Sequence, residues 1–220
     1  MLINKKEIKR LSLDHYSNLN LKANPFSYLN DQELLQTIEP RVELETIAKY
    51  IKSCTSCFIQ LYGNKGFGKS THLQSLYYDY FPEADYYKLK KNKKQYITRT
   101  HKVLFVDSFQ LLSLKNKLQL LKSQERIIIA SHYSHSFLNL KNRELNRSFN
   151  FNQLSLNIEL LNRIVTNKIK LVQISKTNPI PMIKKEYLHT LLKKNKNNLR
   201  AIERELYQDF INLNKDFYEL

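Results

Sequence analysis

A three-layer α/β core with a parallel sheet of about five strands, followed by a small C-terminal helical unit, is the fold class the sequence predicts. Three observations carry it. All three glycines of the chain fall within Gly63–Gly68, between an apolar run and an amphipathic segment. Two near-continuous apolar runs, Val103–Asp107 and Arg126–Ser131, have the pattern of parallel strands covered on both faces. From Leu156 onward the apolar residues recur only at helical spacing.

The elements follow in order. Asn24-Pro25-Phe26 is an extended lead-in, because the residue before a proline is pushed out of the helical region. A helix is expected near Val42–Ile51, then a short strand over Ser56–Tyr62. Leu73, Leu76, Tyr77 and Tyr80 stripe a helix over Ser70–Tyr80, which Pro82 ends. Strands are expected at Asp85–Leu89, Val103–Asp107 and Arg126–Ser131, with a short helix over Ser113–Lys122. Phe149–Leu154 alternates and is read as the fifth strand. Three helices then carry Leu160 to Leu171, Ile183 to Leu192 and Leu199 to Leu213. The expected organisation is an N-terminal extension over 1–23, a core over 24–155 and a helical lid over 156–220.

Composition excludes several classes. With 42% hydrophobic residues the chain is not a disordered one. No apolar run approaches the roughly 20 residues that span a bilayer, and the N-terminus lacks a secretory apolar stretch. A cytoplasmic protein is therefore expected, without a membrane partner. Lys and Arg number 36 against 20 Asp and Glu, a net charge of +16. That field favours a polyanionic partner such as nucleic acid; a basic composition without such a partner is the plainer alternative. Cys54 and Cys57 lack the second ligand pair a zinc site needs and are expected as buried thiols. His132 and His135 lack the carboxylate or thiol neighbours of a metal site.

The glycine-rich segment carries the chemistry. Gly63, Asn64, Lys65, Gly66, Phe67, Gly68, Lys69 and Ser70 match G-x-x-x-x-G-K-[ST] at every fixed position. Glycines let successive backbone N–H groups curl around phosphates without Cβ obstruction. The N-terminus of the next helix adds its dipole. Lys69 is expected on the β- and γ-phosphates, Ser70 on magnesium and Thr71 near the α-phosphate. A strand before and a helix after are the context this motif requires, so ATP with Mg2+ is the expected cofactor pair.

Asp107 ends the Val103–Asp107 strand, 38 positions after Lys69. Such an aspartate orients magnesium through bound water. With these residues in place, residues 24–213 resemble AAA+ ATPases of the P-loop NTPase class, in particular the compact bacterial branch near initiator and transposition-regulator ATPases. The resemblance implies a role for Asn24-Pro25-Phe26 as the entry segment beside the adenine. It implies a sensor-1 polar residue at Ser131 or His132. Asn197-Asn198-Leu199-Arg200 is similar to the sensor-2 signature, which would bring Arg200 to the γ-phosphate. An arginine supplied in trans by a neighbouring subunit would be Arg143 or Arg147.

Two departures qualify that resemblance. Ser108 follows Asp107 where the family has a glutamate that activates water, and serine is no base at neutral pH, so slow hydrolysis is implied. Only 31 residues separate Ser70 from Lys102, which leaves little room for pore loops.

Three functions compete at this stage. The first is an ATP-dependent switch that assembles on nucleic acid, most simply DNA, or recruits a protein partner to it, as a nucleotide-dependent oligomer. The second is a small-molecule kinase using Arg99, Arg143 and Arg147 as clamps. The third is a non-hydrolysing protein-interaction module.

Overall fold

The computed structural model describes residues 15–92, 97, 101–138 and 143–213. Residues 1–14 of the expected extension, residues 93–96 and 98–100 (Arg99 among them), residues 139–142 and residues 214–220 lie outside the described residues. The chain divides into two compact units, Pro40–Ser155 and a second one made of the flanking segments up to Glu39 and from Leu156.

The Pro40–Ser155 unit is built on five parallel strands: β1 (Cys57–Tyr62), β2 (Asp85–Lys88), β3 (Val103–Asp107), β4 (Arg126–Ser131) and β5 (Leu145–Asn150). Their order across the sheet is β2-β3-β4-β1-β5. Strand β4 therefore lies between β1, which leads into the glycine-rich loop, and β3, which ends in Asp107. The register pairs Tyr62 with Ser131 and Asp107 with Ala130, so the C-terminal ends of all three strands meet at one edge.

Alternation along the strands splits the core in two. Ile59, Leu61, Phe105, Ile128 and Ala130 face one side, under helices α2 (Leu44–Ser53) and α3 (Lys69–Tyr80). Phe58, Leu104, Val106, Ile127 and Ile129 face the other, under Phe109 and helix α4 (Leu114–Ser123). Both faces being covered explains why these strands read as continuous apolar runs instead of alternating ones. Ser113 caps α4 by accepting from the Asn116 N–H at 3.3 Å.

The fifth strand corrects the sequence reading. It runs over Leu145–Asn150, not Phe149–Leu154, because only this stretch pairs with β1, Leu145 opposite Cys57 and Asn150 opposite Tyr62. Beyond Asn150 the chain turns, with the N–H groups of Gln153 and Leu154 bonded to the Asn150 carbonyl. Phe151 is instead a core residue, fully buried.

The second unit packs helices α5 (Ile158–Leu171), α6 (Lys185–Lys194) and α7 (Leu199–Asn212) around Leu161, Val165, Leu188, Ile202, Leu206 and Phe210. Asn157 caps α5 from its side chain, accepting from the Leu160 N–H at 2.8 Å. The expected boundary at residue 24 is also corrected. Residues 24–39, including the short helix α1 (Asp31–Gln36), belong with these helices. The cause is local: Phe26 packs edge-on against Phe210, with ring centres 5.3 Å apart. In addition, the Asn24 amide donates to the Tyr207 carbonyl at 2.9 Å. Among the described residues no helix is long and apolar enough to cross a membrane.

Candidate functional site

Strand β1 delivers the chain to Gly63, whose φ of +142° is a conformation that L side chains rarely adopt. A Cβ there would stand 2.9 Å from Asn152 Oδ1 and 3.2 Å from the Asn152 backbone nitrogen. That oxygen accepts the Asn64 N–H at 2.8 Å, and the Phe151 N–H donates to the Tyr62 carbonyl at 2.7 Å. The turn after β5 thus fastens the mouth of the loop. Gly66 and Gly68 also have positive φ, +92° and +85°. Gly68 is the N-cap of α3 and brings no side-chain cap, so the first N–H groups of that helix meet no capping side chain.

Lys69, the first residue of α3, is 6% exposed and donates from Nζ to the Asn64 carbonyl at 2.7 Å. Ser70 Oγ donates to Asp107 Oδ1 at 3.1 Å, and Asp107 is itself buried. A hydroxyl and a carboxylate side by side, at the foot of a loop of backbone N–H groups, form a hard-oxygen pair. They suit a magnesium ion whose remaining ligands are phosphate oxygens and water. Among the described residues no cluster of three or more His, Cys, Asp or Glu side chains offers a metal site of its own.

Ser108, directly after Asp107, has φ 63° and ψ 36°. This left-handed conformation costs a non-glycine residue about 1 kcal/mol. It turns the chain from β3 into the 3-10 turn Phe109–Leu111, whose last N–H donates to the Ser108 carbonyl at 2.9 Å.

Of the two sensor-1 candidates, His132 is exposed. Partial burial and the neighbouring charges of Lys69 and Lys65 push its pKa down, and Asp107 opposes them, which puts the imidazole in the field of the loop. Ser131 is buried and bonded to His135, Oγ to Nε2 at 2.9 Å. His135 continues inward: its N–H donates to Gln60 Oε1 at 2.8 Å, and Gln60 Nε2 donates to Ser148 Oγ at 2.7 Å. Burial lowers the His135 pKa to about 4. The ring is therefore neutral; it bonds Ser131 through Nε2, while the link to Gln60 is made by the His135 backbone N–H.

The arginine candidates separate. Arg143 donates to the carbonyls of Cys57 at 3.4 Å, Gln124 at 2.6 Å, and also of Leu121 and Glu125. These carbonyls belong to the end of α4, its turn into β4 and the first residue of β1, at the opposite end of the sheet from the loop. Arg147 is exposed on the edge strand β5. Arg200 is exposed in the first turn of α7, in the helical unit.

Three residues of the site carry no sequence signal. Arg41 donates from Nη1 to the Phe67 carbonyl at 3.0 Å and from Nη2 to that of Leu154. His72 accepts the Arg41 N–H at Nε2, at 2.8 Å, and its Nδ1 lies 2.8 Å from the Gly68 carbonyl. Asn152 is the third. Only His72 sits near the motif in sequence, three residues after Lys69. Near the start of β1, both cysteines are buried free thiols, and burial pushes Cys57 up to about 12, which makes it unreactive.

No family model and no curated protein matches the sequence. Among solved structures, a point mutant of RuvB from Thermotoga maritima is similar with a TM-score of 0.50 at 11% identity, covering 89% of this chain and 70% of that one. Domain III of the replication initiation protein DnaA from the same organism gives 0.49 at 15% identity, covering 87% and 96%. Cdc6p from Pyrobaculum aerophilum gives 0.49 at 14% identity, covering 87% and 66%. Against the Thermotoga maritima RuvB Holliday junction branch migration motor the chain spans 71% of the other's length. The likeness is one of fold.

Proposed function

We propose that this chain, which has the fold of the AAA+ P-loop ATPases, binds ATP with magnesium at Gly63–Ser70 and acts as a nucleotide-dependent switch on nucleic acid. The observation that carries the reading is the hydrogen bond from Ser70 to Asp107 beside the buried Lys69. It joins a loop and a strand end that are remote in sequence at the point where a triphosphate-bound cation would sit.

Each residue has a role in that reading. The backbone N–H groups from Lys65 to Thr71 hold the phosphates, and Lys69 neutralises the β- and γ-phosphates. Ser70 would hold the magnesium ion directly and Asp107 through a water molecule. The ion, when bound, would supply neutralisation of the phosphate charge. His132, exposed just after β4, is the sensor-1 candidate left free to reach a ligand, since the Ser131 hydroxyl is engaged with His135. Arg200, exposed in the first turn of α7, remains the sensor-2 candidate. Arg147, exposed on an edge strand, is the better of the two candidates for an arginine supplied in trans, since Arg143 is held by four carbonyls.

Ser108 offers no base for the attacking water, so binding and release of ATP carry the signal more than turnover does. Nucleic acid is the partner the charge supports, as DNA in the simplest case. Lys193, Lys196, Arg200 and Arg204 are exposed on the helical unit, while Lys168 and Lys194 are paired with Glu203 and Glu205. A nucleotide-dependent homo-oligomer in the cytoplasm, with a protein partner recruited to it, completes the proposal.

The test is retention of DNA by the full chain with ATP, ADP and no nucleotide, alongside Lys69→Ala. Retention that rises with ATP in the wild type, but not in the variant, supports the switch. Equal retention in all conditions removes it.

A further inference from the structure

The chain enters the α/β unit at Pro40 and leaves it at Ser155. Both crossings are fastened to the back of the glycine-rich loop by one side chain. Arg41, one residue inside the entry, donates to the Phe67 carbonyl at 3.0 Å and to the carbonyl of Leu154, one residue before the exit. Its own N–H donates to His72 Nε2 at 2.8 Å. Because Nε2 accepts, the ring proton is on Nδ1, which donates to the Gly68 carbonyl at 2.8 Å. The His72 ring stands edge-on to Phe151 at 4.9 Å, and the Arg41 guanidinium lies 5.8 Å from the centre of the same ring.

Peptide geometry gives this latch a consequence. The Phe67 carbonyl shares a rigid plane with the Gly68 N–H, and the Gly68 carbonyl shares one with the Lys69 N–H. In a trans peptide the two groups point in opposite directions. When these N–H groups turn toward a phosphate, their carbonyls turn toward Arg41 and His72. Any rotation of either plane on ligand binding is felt by the guanidinium, and through it by residues 41 and 154.

We propose that Arg41 and His72 are positioning residues that couple occupancy of the phosphate loop to the two peptide segments joining the units. The inference rests on the reading of Gly63–Ser70 as a nucleotide site. Arg41 is suited to it because a planar guanidinium holds two carbonyls in fixed relation, which a lysine ammonium on a flexible stem does not.

The experiment is hydrogen–deuterium exchange on the full chain with and without ATP and magnesium, for the wild type, Arg41→Ala and Arg41→Lys, with ATP affinity measured in parallel. In the wild type, ATP slows exchange over residues 63–71 and also over 38–44 and 152–157. In both variants, protection over 63–71 persists with affinity lowered about tenfold, while protection over 38–44 and 152–157 is lost. If Arg41→Ala does not fold, Arg41→Lys carries the comparison alone. Wild-type protection of the crossings in a folded Arg41 variant overturns the coupling but leaves the site intact. Absence of protection over 63–71 in the wild type overturns the nucleotide site, and the coupling with it.

Discussion

Asn152 Oδ1 accepts the Asn64 N–H at 2.8 Å and lies 2.9 Å from where a Cβ on Gly63 would stand. One carboxamide thus holds the mouth of the phosphate loop open while the glycine makes room for it. Gly63→Ala adds both a disfavoured backbone conformation and a steric contact. It should lower stability by about 2 kcal/mol and weaken ATP binding. Asn152→Ala in the same chain should recover part of the stability, because the closest contact is removed. Thermal denaturation of the two variants, read with ATP titration, checks this; a Gly63→Ala protein as stable as wild type contradicts it.

Ser108, directly after Asp107, occupies a left-handed conformation; on the proposed function it stands where a base for the attacking water would be expected. Ser108→Gly should stabilise the fold by about 0.5–1 kcal/mol, the relief expected at such a site, without restoring turnover. Ser108→Glu should raise ATP turnover by about 100-fold, the low end of what a positioned base supplies. Steady-state phosphate release measures both. No gain with glutamate would mean that the base comes from elsewhere.

His72 gives the fold a defined acid sensitivity. Burial, opposed by the bond to Gly68 and reinforced by Arg41, lowers its pKa from 6.5 to about 4. The unfolded chain therefore takes up this proton first as the pH falls. The stability contributed is complete above pH 6.5 and is lost progressively between 6.5 and 4. At pH 5 the loss is about 2 kcal/mol from this residue alone. His72→Phe should flatten that part of the profile, though at a lower plateau, because the Arg41 N–H loses its acceptor and the Gly68 carbonyl keeps only the backbone N–H of residue 72. Denaturant midpoints from pH 7 to 4.5 give the answer, and parallel slopes for wild type and His72→Phe would refute it.

Arg143 and Arg147 should part company when each is replaced by alanine. Arg143→Ala strips four carbonyls, at the end of α4, in its turn into β4 and at the start of β1, of their shared donor. It should cost about 3 kcal/mol of stability and leave ATP affinity unchanged in the folded fraction. Arg147→Ala should leave stability within about 0.5 kcal/mol of wild type and abolish any concentration-dependent rise in ATPase activity. An Arg143→Ala protein of normal stability would return it to the list of candidate trans arginines.

What the sequence determined by itself was the local chemistry. Gly63 to Ser70, the apolar strands ending in Asp107 and Ser131, and the three helical stripes after Leu156 each follow from rules acting over a few residues. Glycine frees the backbone, apolar period sets strand or helix, and side-chain oxygens cap helix ends. Tertiary structure decided everything whose partner is remote along the chain. It set the fifth strand at Leu145–Asn150, since its register depends on Tyr62 and Cys57 and not on its own weak alternation. It drew residues 24–39 to the helical unit through Phe26 and Phe210. It also brought Arg41, His72 and Asn152 around the loop, and gave Arg143 to the far end of the sheet. Hydrogen bonds from arginine to backbone carbonyls leave no trace in the acceptor's residue type, because every residue has a carbonyl. That is why the phosphate loop could be read from the sequence, and the latch behind it could not.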